Sequence, residues 1–354
     1  MATDTQSPTG HPDSDLRLSG QRLPRWAVPA TAAGSVVLTL AVFALTPLQG
    51  RADFLVAVGI VFLLGQTAAS FLVEGRRHAV DRLATNVVYT CFVLAIIPLV
   101  AVIVTVLVHG LKVVNLTFLT HSQRNIGPTD TGGGVYHAII GTLEIAFVTS
   151  LISIPIAVLV AVYLVEYGGR GLLARLVTFF VDVMTGIPSI VAGLFIYVVW
   201  ILTLGFQRSG FPACLALAIL MIPVVVRSTE EMLKLVPNEL RESSLALGVP
   251  KWRTILRVVI PTALPGIITG IMLGVARVAG ETAPLLLLTG YTQSINFNLF
   301  SGPMAALPTL IFDQAGRPSQ SAVDRAWGAA LVLIVIVMLL NLVARVIARL
   351  TRVR

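Results

Sequence analysis

Long apolar stretches recur along this chain, and each is long enough to cross a lipid bilayer. A membrane-spanning helix needs about 20 predominantly apolar residues, and the chain offers eight candidates. They lie at about residues 27–47, 53–73, 87–109, 139–164, 178–205, 211–228, 266–289 and 327–348. The pattern predicts an all-α membrane protein with about eight transmembrane helices.

Composition supports this interpretation. Hydrophobic residues make up 56% of the chain and charged residues only 12%, whereas about a quarter of the residues in a soluble domain are usually charged. The first apolar run is too long for a signal-peptide core, so we expect it to be retained as a helix. Residues 1–25 are rich in Ser, Thr, Pro and Asp, and we expect this segment to be disordered.

The positions of the basic residues indicate how the chain crosses the membrane. With the N-terminus in the cytosol, most of the 25 Lys and Arg residues fall in cytosolic segments or at the cytosolic ends of spans, and Arg277 alone lies well inside a span. This bias predicts that both termini are cytosolic. It also explains the net charge of +8 as an orientation signal. No basic run with interleaved aromatic residues suggests nucleic-acid binding.

A charge-dense segment, between Val224 and Pro261, separates the sixth and seventh apolar stretches on the predicted cytosolic side. Pro237 ends one helix, and Asn238 can cap the next. Glu239 and Glu242 fall in the first turn of that helix, where the helix dipole favours acidic groups, and Gly248 can end it in the left-handed conformation. A simple connection could be shorter. The segment therefore indicates a docking surface for a soluble partner, with a solvated hairpin as the alternative.

The seventh apolar stretch contains a pair of charged residues. Arg277 and Glu281 are four residues apart, so they share one helical face and can pair. A charge inside a membrane costs at least about 2.5–3.5 kcal/mol, so such residues normally face a cavity or a partner. The planar guanidinium of Arg277 suits tetrahedral oxyanions, Glu281 would hold it, and Thr282 adds a hydroxyl donor. The alternative is an ion pair that only fixes helix packing.

Gly186 and Pro188 predict a break in the fifth apolar stretch. A helix that restarts at Ser189 would present backbone N–H groups to an anion, as half-helices do in other transporters. The alternative is a plain kink.

The sequence contains no recognisable catalytic motif. A Walker A loop needs Gly-Lys-[Ser/Thr], and none of the three lysines, Lys112, Lys234 and Lys251, follows a glycine. Cys91 and Cys214 are isolated, so neither a metal site nor a disulfide framework is indicated. We therefore expect a chain that is not an enzyme and binds no cofactor or metal, with energy supplied by another subunit.

Several segments resemble those of phosphate-specific ABC importer permeases of the PstA type. The charge-dense segment is similar to their EAA coupling loop, with Ser243 and Ser244 in place of the two alanines. The other matching segments are Thr185–Gly193 (TGIPSIVAG), Ala276–Pro284 (ARVAGETAP), Gly132–Thr142, Tyr163–Tyr167 and Asp324–Ala330, with Asn341 further on. The match covers about residues 87–350, and the first two spans are an addition to the family pattern.

The resemblance implies a type I ABC importer (MetI-like) permease in the bacterial plasma membrane, with six core spans. The expected layout is a disordered cytosolic segment 1–25, two extra transmembrane helices in 26–86, the first core helix and an extracytoplasmic loop in 87–136, and an ABC transmembrane type-1 domain in 137–349 with a cytosolic coupling loop at 230–262. The residues expected to couple to the ATPase are Glu239, Glu242, Ser243, Ser244, Ala246 and Gly248.

The same resemblance implies partners and a mechanism. The partners are a PstC-type sister permease, two PstB-type ATPase subunits that bind ATP and magnesium, and a PstS-type extracytoplasmic phosphate-binding protein. That protein would deliver phosphate to the outer loops 110–138 and 290–325, and alternating access would move the phosphate inwards. The residues expected along the substrate pathway are Arg277, Glu281, Thr282 and Ser189.

Three alternatives stay open. A permease for molybdate, sulfate or phosphonate would share the coupling loop. An ion-coupled secondary transporter would need inverted repeats and several intramembrane carboxylates, whereas the spans contain only Glu144, Asp182 and Glu281 besides Asp53 at the first position of its span. A membrane-embedded enzyme or sensor would need a catalytic set or a soluble output domain, and the sequence indicates neither.

Overall fold

The computed structural model describes residues 23–24, 26–45, 50–127, 129–169 and 171–350. Across these ranges the chain forms fourteen α-helices and no β-strand. The helices are α1 (Ala27–Leu45), α2 (Arg51–Glu74), α3 (Arg76–Gly110), α4 (Leu116–Thr120), α5 (Tyr136–Val162), α6 (Leu172–Thr185), α7 (Ser189–Ile196), α8 (Gly210–Lys234), α9 (Asn238–Ala246), α10 (Lys251–Thr254), α11 (Ile260–Ala279), α12 (Ala283–Leu288), α13 (Leu307–Ala315) and α14 (Gln320–Leu350). Nearly all of the segment 1–25, which we expect to be disordered, lies outside the described residues.

Three short π-helical segments adjoin these helices, at Tyr163–Tyr167 after α5, at Tyr197–Thr203 after α7, and at Ile255–Val259 before α11. Such wider turns occur mostly as local insertions in α-helices and are frequent at functional sites.

In the part of the chain that the structure describes, seven helical runs are long and apolar enough to cross a membrane. They are Ala27–Leu45, Asp53–Glu74, Arg76–Gly110, Tyr136–Tyr167, Gly210–Lys234, Lys251–Ala279 and Gln320–Val346. A bent pair of helices, α6 and α7 with its π-helical extension, could form an eighth crossing. The prediction of an all-α membrane protein with about eight spans is confirmed.

The predicted span 178–205 is broken, as Gly186 and Pro188 lead us to expect. The helix axes on the two sides of the break differ in direction by 106°. Proline cannot donate a backbone hydrogen bond and disfavours helical geometry at the preceding residue, here Ile187. The break therefore places the start of α7, at Ser189, inside an apolar stretch of the sequence.

The predicted span 266–289, which Gly280 and Pro284 would allow to bend or pack closely, is divided between two helices. The first helix, α11, ends at Ala279, and a short second helix, α12, begins at Ala283. Pro284 explains the break, because proline in the first turn of a new helix is favourable, whereas proline inside a continuous helix is not. Glu281 and Thr282 therefore lie between two helices and not on one continuous helical face.

The chain divides into two compact units, residues 1–102 and 103–354. In the first unit α1 packs against α2, and Thr31 Oγ1 lies 2.6 Å from Gln66 Oε1 across that contact. Helix α3 begins at Arg76, earlier than the predicted span at 87, and runs without interruption to Gly110.

The second unit is built around α8. This helix packs against α5 along one side and against α11 along another, and its buried side chains include Leu217, Met221 and Val225. Glycines on α11 allow the close approach of the two backbones, because a methyl group at Gly270 would overlap the side chain of Ser228. Small residues four apart commonly bring membrane helices together in this way.

Candidate functional site

The charged pair predicted in the seventh span is present. Arg277 lies in the last turn of α11, where the negative end of the helix dipole favours a cation. Its Nε atom is 3.7 Å from Glu281 Oε1, too far for a hydrogen bond but within the distance of an ion pair that solvent weakens. The Arg277 side chain is 49% exposed and that of Glu281 is 18% exposed. The guanidinium is therefore charge-compensated and still accessible to an anion.

Thr282 is the residue that precedes α12, in the position of an N-cap. Its side chain makes no capping hydrogen bond to that helix. The break between α11 and α12 thus places one cation, one carboxylate and one hydroxyl within six consecutive residues, Arg277 to Thr282. In chemical terms, an arginine and a hydroxyl can donate hydrogen bonds to a small oxyanion, and a carboxylate can balance the charge of the arginine when no anion is bound.

The two short helices α7 and α12 pack against each other. A methyl group on Gly193 would lie only 2.9 Å from Pro284 Cα, so glycine is needed for this approach. The contact joins the TGIPSIVAG and ARVAGETAP segments, which are about 90 residues apart in the sequence. Ser189, at the start of α7, lies one helical turn before Gly193. No hydrogen bond or ion pair among the described residues links Ser189 directly to Arg277.

A groove of about 800 Å³ runs between α8, α11 and α14. It reaches Ala276, the residue next to Arg277, and it extends to Arg345 and Arg349 near the end of α14. Most of its wall is apolar, with polar side chains contributed by Thr269 and Asn341 among others.

The charge-dense segment forms a helical hairpin. Helix α9 begins at Asn238, so Pro237 and not Asn238 occupies the N-cap position. The Asn238 side chain instead accepts a hydrogen bond from Arg241 Nη1 at 3.3 Å. Gly248 has φ of +75°, the left-handed conformation that the sequence predicts at the end of this helix.

The hairpin exposes an apolar patch, which we call the α9 patch (Leu240, Leu245 and Leu247). Leu247 is 84% exposed. Single exposed leucines are common on protein surfaces, but three exposed leucines within eight consecutive residues favour an interaction site. Among the predicted coupling residues, five are exposed, namely Glu239, Glu242, Ser243, Ala246 and Gly248.

Ser244 is the exception among the predicted coupling residues. It is half-buried, and its Oγ lies 2.9 Å from Thr254 Oγ1 in α10. A serine at this position in place of alanine therefore ties the two arms of the hairpin together instead of facing outwards.

Glu166 and Arg241 are two further residues of the hairpin region that the sequence reasoning missed. Glu166, in the π-helical segment after α5, accepts hydrogen bonds from Arg241 Nε at 3.1 Å and from Arg241 Nη2 at 3.0 Å. Both side chains are largely buried, with 7% and 17% exposed, respectively. The signal in the sequence is a single carboxylate at the end of a long apolar run. Its partner is 75 residues away, which the sequence pattern alone does not reveal.

Polar side chains at the far end of the second unit form a cluster, which we call the outer cluster (Gln123, Tyr291, Gln314 and Arg325). Tyr291 donates to Gln123 Oε1 at 3.1 Å, and Arg325 Nε donates to Gln314 Oε1 at 3.0 Å. Arg325 Nη1 also donates to the carbonyl oxygen of Asp130 at 2.8 Å. Burial raises the pKa of Tyr291 to about 12, with a further contribution from nearby Asp313. The cluster links the segments 110–138 and 290–325.

Among the described residues, no group of three or more His, Cys, Asp or Glu side chains could hold a metal ion.

Residues 153–353 match the family model described as "Binding-protein-dependent transport system inner membrane component". The Phosphate transport system permease protein PstA 1 of Mycobacterium tuberculosis (strain CDC 1551 / Oshkosh) is 52% identical over 273 residues, which are 77% of this chain and 90% of that protein. The Phosphate transport system permease protein PstA of Pasteurella multocida (strain Pm70) is 40% identical over 245 residues, 69% of this chain and 86% of that protein.

A solved structure shows the same fold at much lower identity. A chain of the bacterial alginate ABC transporter, crystallised with its alginate pentasaccharide-bound periplasmic protein, matches with a TM-score of 0.54 at 15% identity, over 77% of this chain and 96% of that chain. The family match covers more than half of the sequence, and the curated relatives align over most of their length. The chain therefore belongs to the PstA family of phosphate transport system permease proteins, inner membrane components of binding-protein-dependent transport.

Proposed function

We propose that this chain is the permease subunit of an ATP-driven importer that moves inorganic phosphate across the bacterial plasma membrane by alternating access. The observation that carries the proposal is the half-exposed guanidinium of Arg277 at the break between α11 and α12. The 52% identity to a phosphate transport permease supports phosphate as the anion.

The substrate pathway runs past the break between α11 and α12. Arg277 donates to the phosphate oxygens, and Thr282 adds a hydroxyl. Glu281 compensates the charge of Arg277 when the site is empty, and at 3.7 Å its hold on the guanidinium is loose enough to be exchanged for phosphate. Ser189 belongs to the pathway through the packing of α7 on α12.

The groove between α8, α11 and α14 is the inward continuation of this pathway. It starts beside Arg277 and ends at Arg345 and Arg349, so a phosphate ion that leaves Arg277 meets positive charge again near the cytosolic surface. A weak site is required here, because a ligand shifts a conformational equilibrium only by its difference in affinity for the two states.

The chain itself is not catalytic and binds no cofactor. ATP and magnesium bind to two PstB-type ATPase subunits, which dock on the α9 patch and on the exposed residues Glu239, Glu242, Ser243, Ala246 and Gly248. Ser244 supports this surface from within through Thr254. A PstC-type sister permease completes the membrane-embedded half of the transporter.

A PstS-type phosphate-binding protein docks on the opposite face, on the outer loops 110–138 and 290–325. The outer cluster supports this role, because its hydrogen bonds join the two loops into one platform. The distribution of basic residues supports a cytosolic location for the hairpin and both termini. The proposed layout has two additional helices in 26–86, the first core helix and an extracytoplasmic loop in 87–136, and a permease domain in 137–349.

Competitive uptake tests this function. Cells that lack their own phosphate importers are supplied with this chain, its sister permease, the ATPase and the binding protein, and uptake of radiolabelled phosphate is measured. The proposal predicts uptake that excess unlabelled phosphate abolishes and that sulfate, molybdate and phosphonate leave unchanged. Uptake of one of those anions in place of phosphate would keep the architecture and refute the substrate.

A further inference from the structure

Helix α9 is attached through the chain itself to α8 before it and to α10 and α11 after it. The structure adds a third attachment, to α5, which the sequence does not suggest. Arg241 of α9 donates two hydrogen bonds to Glu166 Oε1 in the π-helical segment Tyr163–Tyr167, which continues α5.

The ion pair between Glu166 and Arg241 is surrounded by further hydrogen bonds that involve the end of α8 and the start of α10. Arg241 Nη2 also donates to the carbonyl oxygen of Leu233, in the last turn of α8, at 2.8 Å. Arg241 Nη1 donates to the carbonyl oxygen of Val236, just after α8. From α10, Lys251 Nζ donates to the carbonyl oxygen of Glu166. We call this set of contacts the α5–α9 joint (Glu166, Arg241 and Lys251).

The joint is a specific connection and not a surface ion pair. Exposed pairs contribute little because solvent screens them, but here Glu166 is only 7% exposed and Arg241 only 17%. Truncation of either side chain leaves the other charge buried without its partner, which is unfavourable. Moreover, the Lys251 ammonium lies 5.0 Å from the centre of the Tyr167 ring, so the π-helical segment is held from two helices of the hairpin.

We propose that the α5–α9 joint makes α5 move together with α9, so that displacement of the hairpin by the ATPase reaches α5 directly. Glu166 and Arg241 are then positioning residues of the transport cycle. Two π-helical segments, Tyr163–Tyr167 after α5 and Ile255–Val259 before α11, are the places where a change of helical register can absorb the displacement of the hairpin. The inference rests on the proposed function, in that it needs an ATPase that drives the hairpin.

A probe of α5 itself tests the inference without depending on the transported anion. The assembled complex, with Cys91 replaced by Ser, carries an environment-sensitive thiol probe at Leu159→Cys on α5 or at Thr262→Cys on α11; both positions are exposed. ATP with vanadate is added to trap the closed ATPase. In the otherwise unchanged protein we expect a signal change at both probes.

Glu166→Ala is expected to reduce the change at the α5 probe, because α5 then follows the hairpin only through its packing on α8. The change at the α11 probe should stay, because α11 remains connected to the hairpin through the chain. The matched control is Lys234→Gln, which removes an ion pair within α8 alone and should leave both changes intact. The proposal is overturned if the α5 probe does not respond in the unchanged complex, or if it responds as strongly in Glu166→Ala as in the unchanged complex.

Transport per ATP provides the second readout, in liposomes that contain the complete complex. Glu166→Ala and Arg241→Met should each lower the phosphate taken up per ATP hydrolysed by about fivefold or more, the lower end of measured coupling between sites, with the ATPase still bound. The double variant should be no worse than either single one, because the two residues act as a pair. Arg241→Lys should recover part of the loss, since Glu166 uses one oxygen only.

These experiments distinguish a failure of the proposed function from a failure of the proposal about the α5–α9 joint. If the α5 probe responds and ATP is hydrolysed but no phosphate moves in the unchanged complex, the proposed substrate fails and the joint stands. If phosphate transport is normal and uptake per ATP is the same in Glu166→Ala, the joint is refuted and the proposed function stands. Loss of the ATPase from the Glu166→Ala complex would show a purely structural pair and would also refute the inference.

Discussion

Arg277 is the residue on which the proposed substrate path depends. Its charge is compensated by one carboxylate at 3.7 Å, and about half of its side chain is accessible. Arginine presents several donors in a fixed plane that matches tetrahedral oxyanions, whereas lysine offers a single point charge. Substitutions of Arg277 should therefore show whether transport needs only a positive charge here or also the planar arrangement of hydrogen-bond donors.

Replacement of Arg277 tests that distinction. Arg277→Gln should lower phosphate uptake by about 100-fold or more, since it removes about 3 kcal/mol of charge-assisted hydrogen bonding. Arg277→Lys should retain part of the activity. Uptake of radiolabelled phosphate is compared at equal amounts of assembled complex, measured by co-purification of the ATPase. Normal uptake by Arg277→Gln would remove this residue from the mechanism.

Gly248 carries a second prediction at this scale. Its φ of +75° is unfavourable for most residues, but no atom lies within 4 Å of the position that a Cβ would take. Backbone conformation, and not space, is therefore what requires glycine. Gly248→Val should cost about 1–2 kcal/mol and reduce the amount of ATPase that co-purifies. Gly248→Asn, which tolerates this conformation, should behave nearly as the unchanged protein; equal binding by both variants would contradict the role of the turn.

The sequence predicts these two residues for different reasons. Gly248 follows from a local pattern of a helix and its cap, and Arg277 from the rarity of a charge inside an apolar run. Glu166 and Arg241 could not be paired in advance, because their contact depends on how α5 and α9 pack and not on any local pattern. Ser244 likewise faces inwards only because Thr254 lies opposite it.

At the scale of elements, hydropathy predicts the number of spans better than their continuity. Pro188 gave a clear signal for the break between α6 and α7. At the break between α11 and α12, Gly280 and Pro284 indicate a bend or a close packing contact. Apolar residues continue on both sides of Gly280–Thr282, so a hydropathy window averages over the break and does not show two helices. Pro284 is the local signal for the second helix, since proline favours the first turn of a new helix.

The packing of α8 against α11 leads to a prediction about stability. A methyl group at Gly270 would overlap Ser228, so Gly270→Ala should destabilise the protein by about 1–3 kcal/mol through overpacking. The control is Gly65→Ala on α2, where no neighbouring atom lies within 4 Å. Thermal unfolding of the purified protein in detergent should show a lower midpoint for Gly270→Ala than for the control. Equal midpoints would mean that α8 and α11 separate easily.

At the scale of the whole molecule, the proposal places the α9 patch and the outer loops on opposite sides of the membrane. The distribution of Lys and Arg predicts which side is which. The helix α3 runs as one element from Arg76 to Gly110, through the expected boundary at 86/87, and the division between the two compact units falls within it. Helical continuity of this kind depends on packing and cannot be seen in a hydropathy profile.

Labelling from one side tests the orientation. Leu247→Cys in the α9 patch and Phe297→Cys in an outer loop are both exposed positions. A membrane-impermeant thiol reagent should label Phe297→Cys in intact spheroplasts and Leu247→Cys only in inverted vesicles. The opposite pattern would reverse the topology and exclude docking of a cytosolic ATPase on α9.

The most direct test of the central claim is ATP hydrolysis by the complete complex in liposomes, with the binding protein supplied. The account predicts that phosphate-loaded binding protein stimulates hydrolysis, that sulfate and molybdate do not, and that Arg277→Gln abolishes the accompanying phosphate uptake. A fully assembled complex that responds only to another oxyanion, or that moves phosphate equally well without the Arg277 guanidinium, would contradict it.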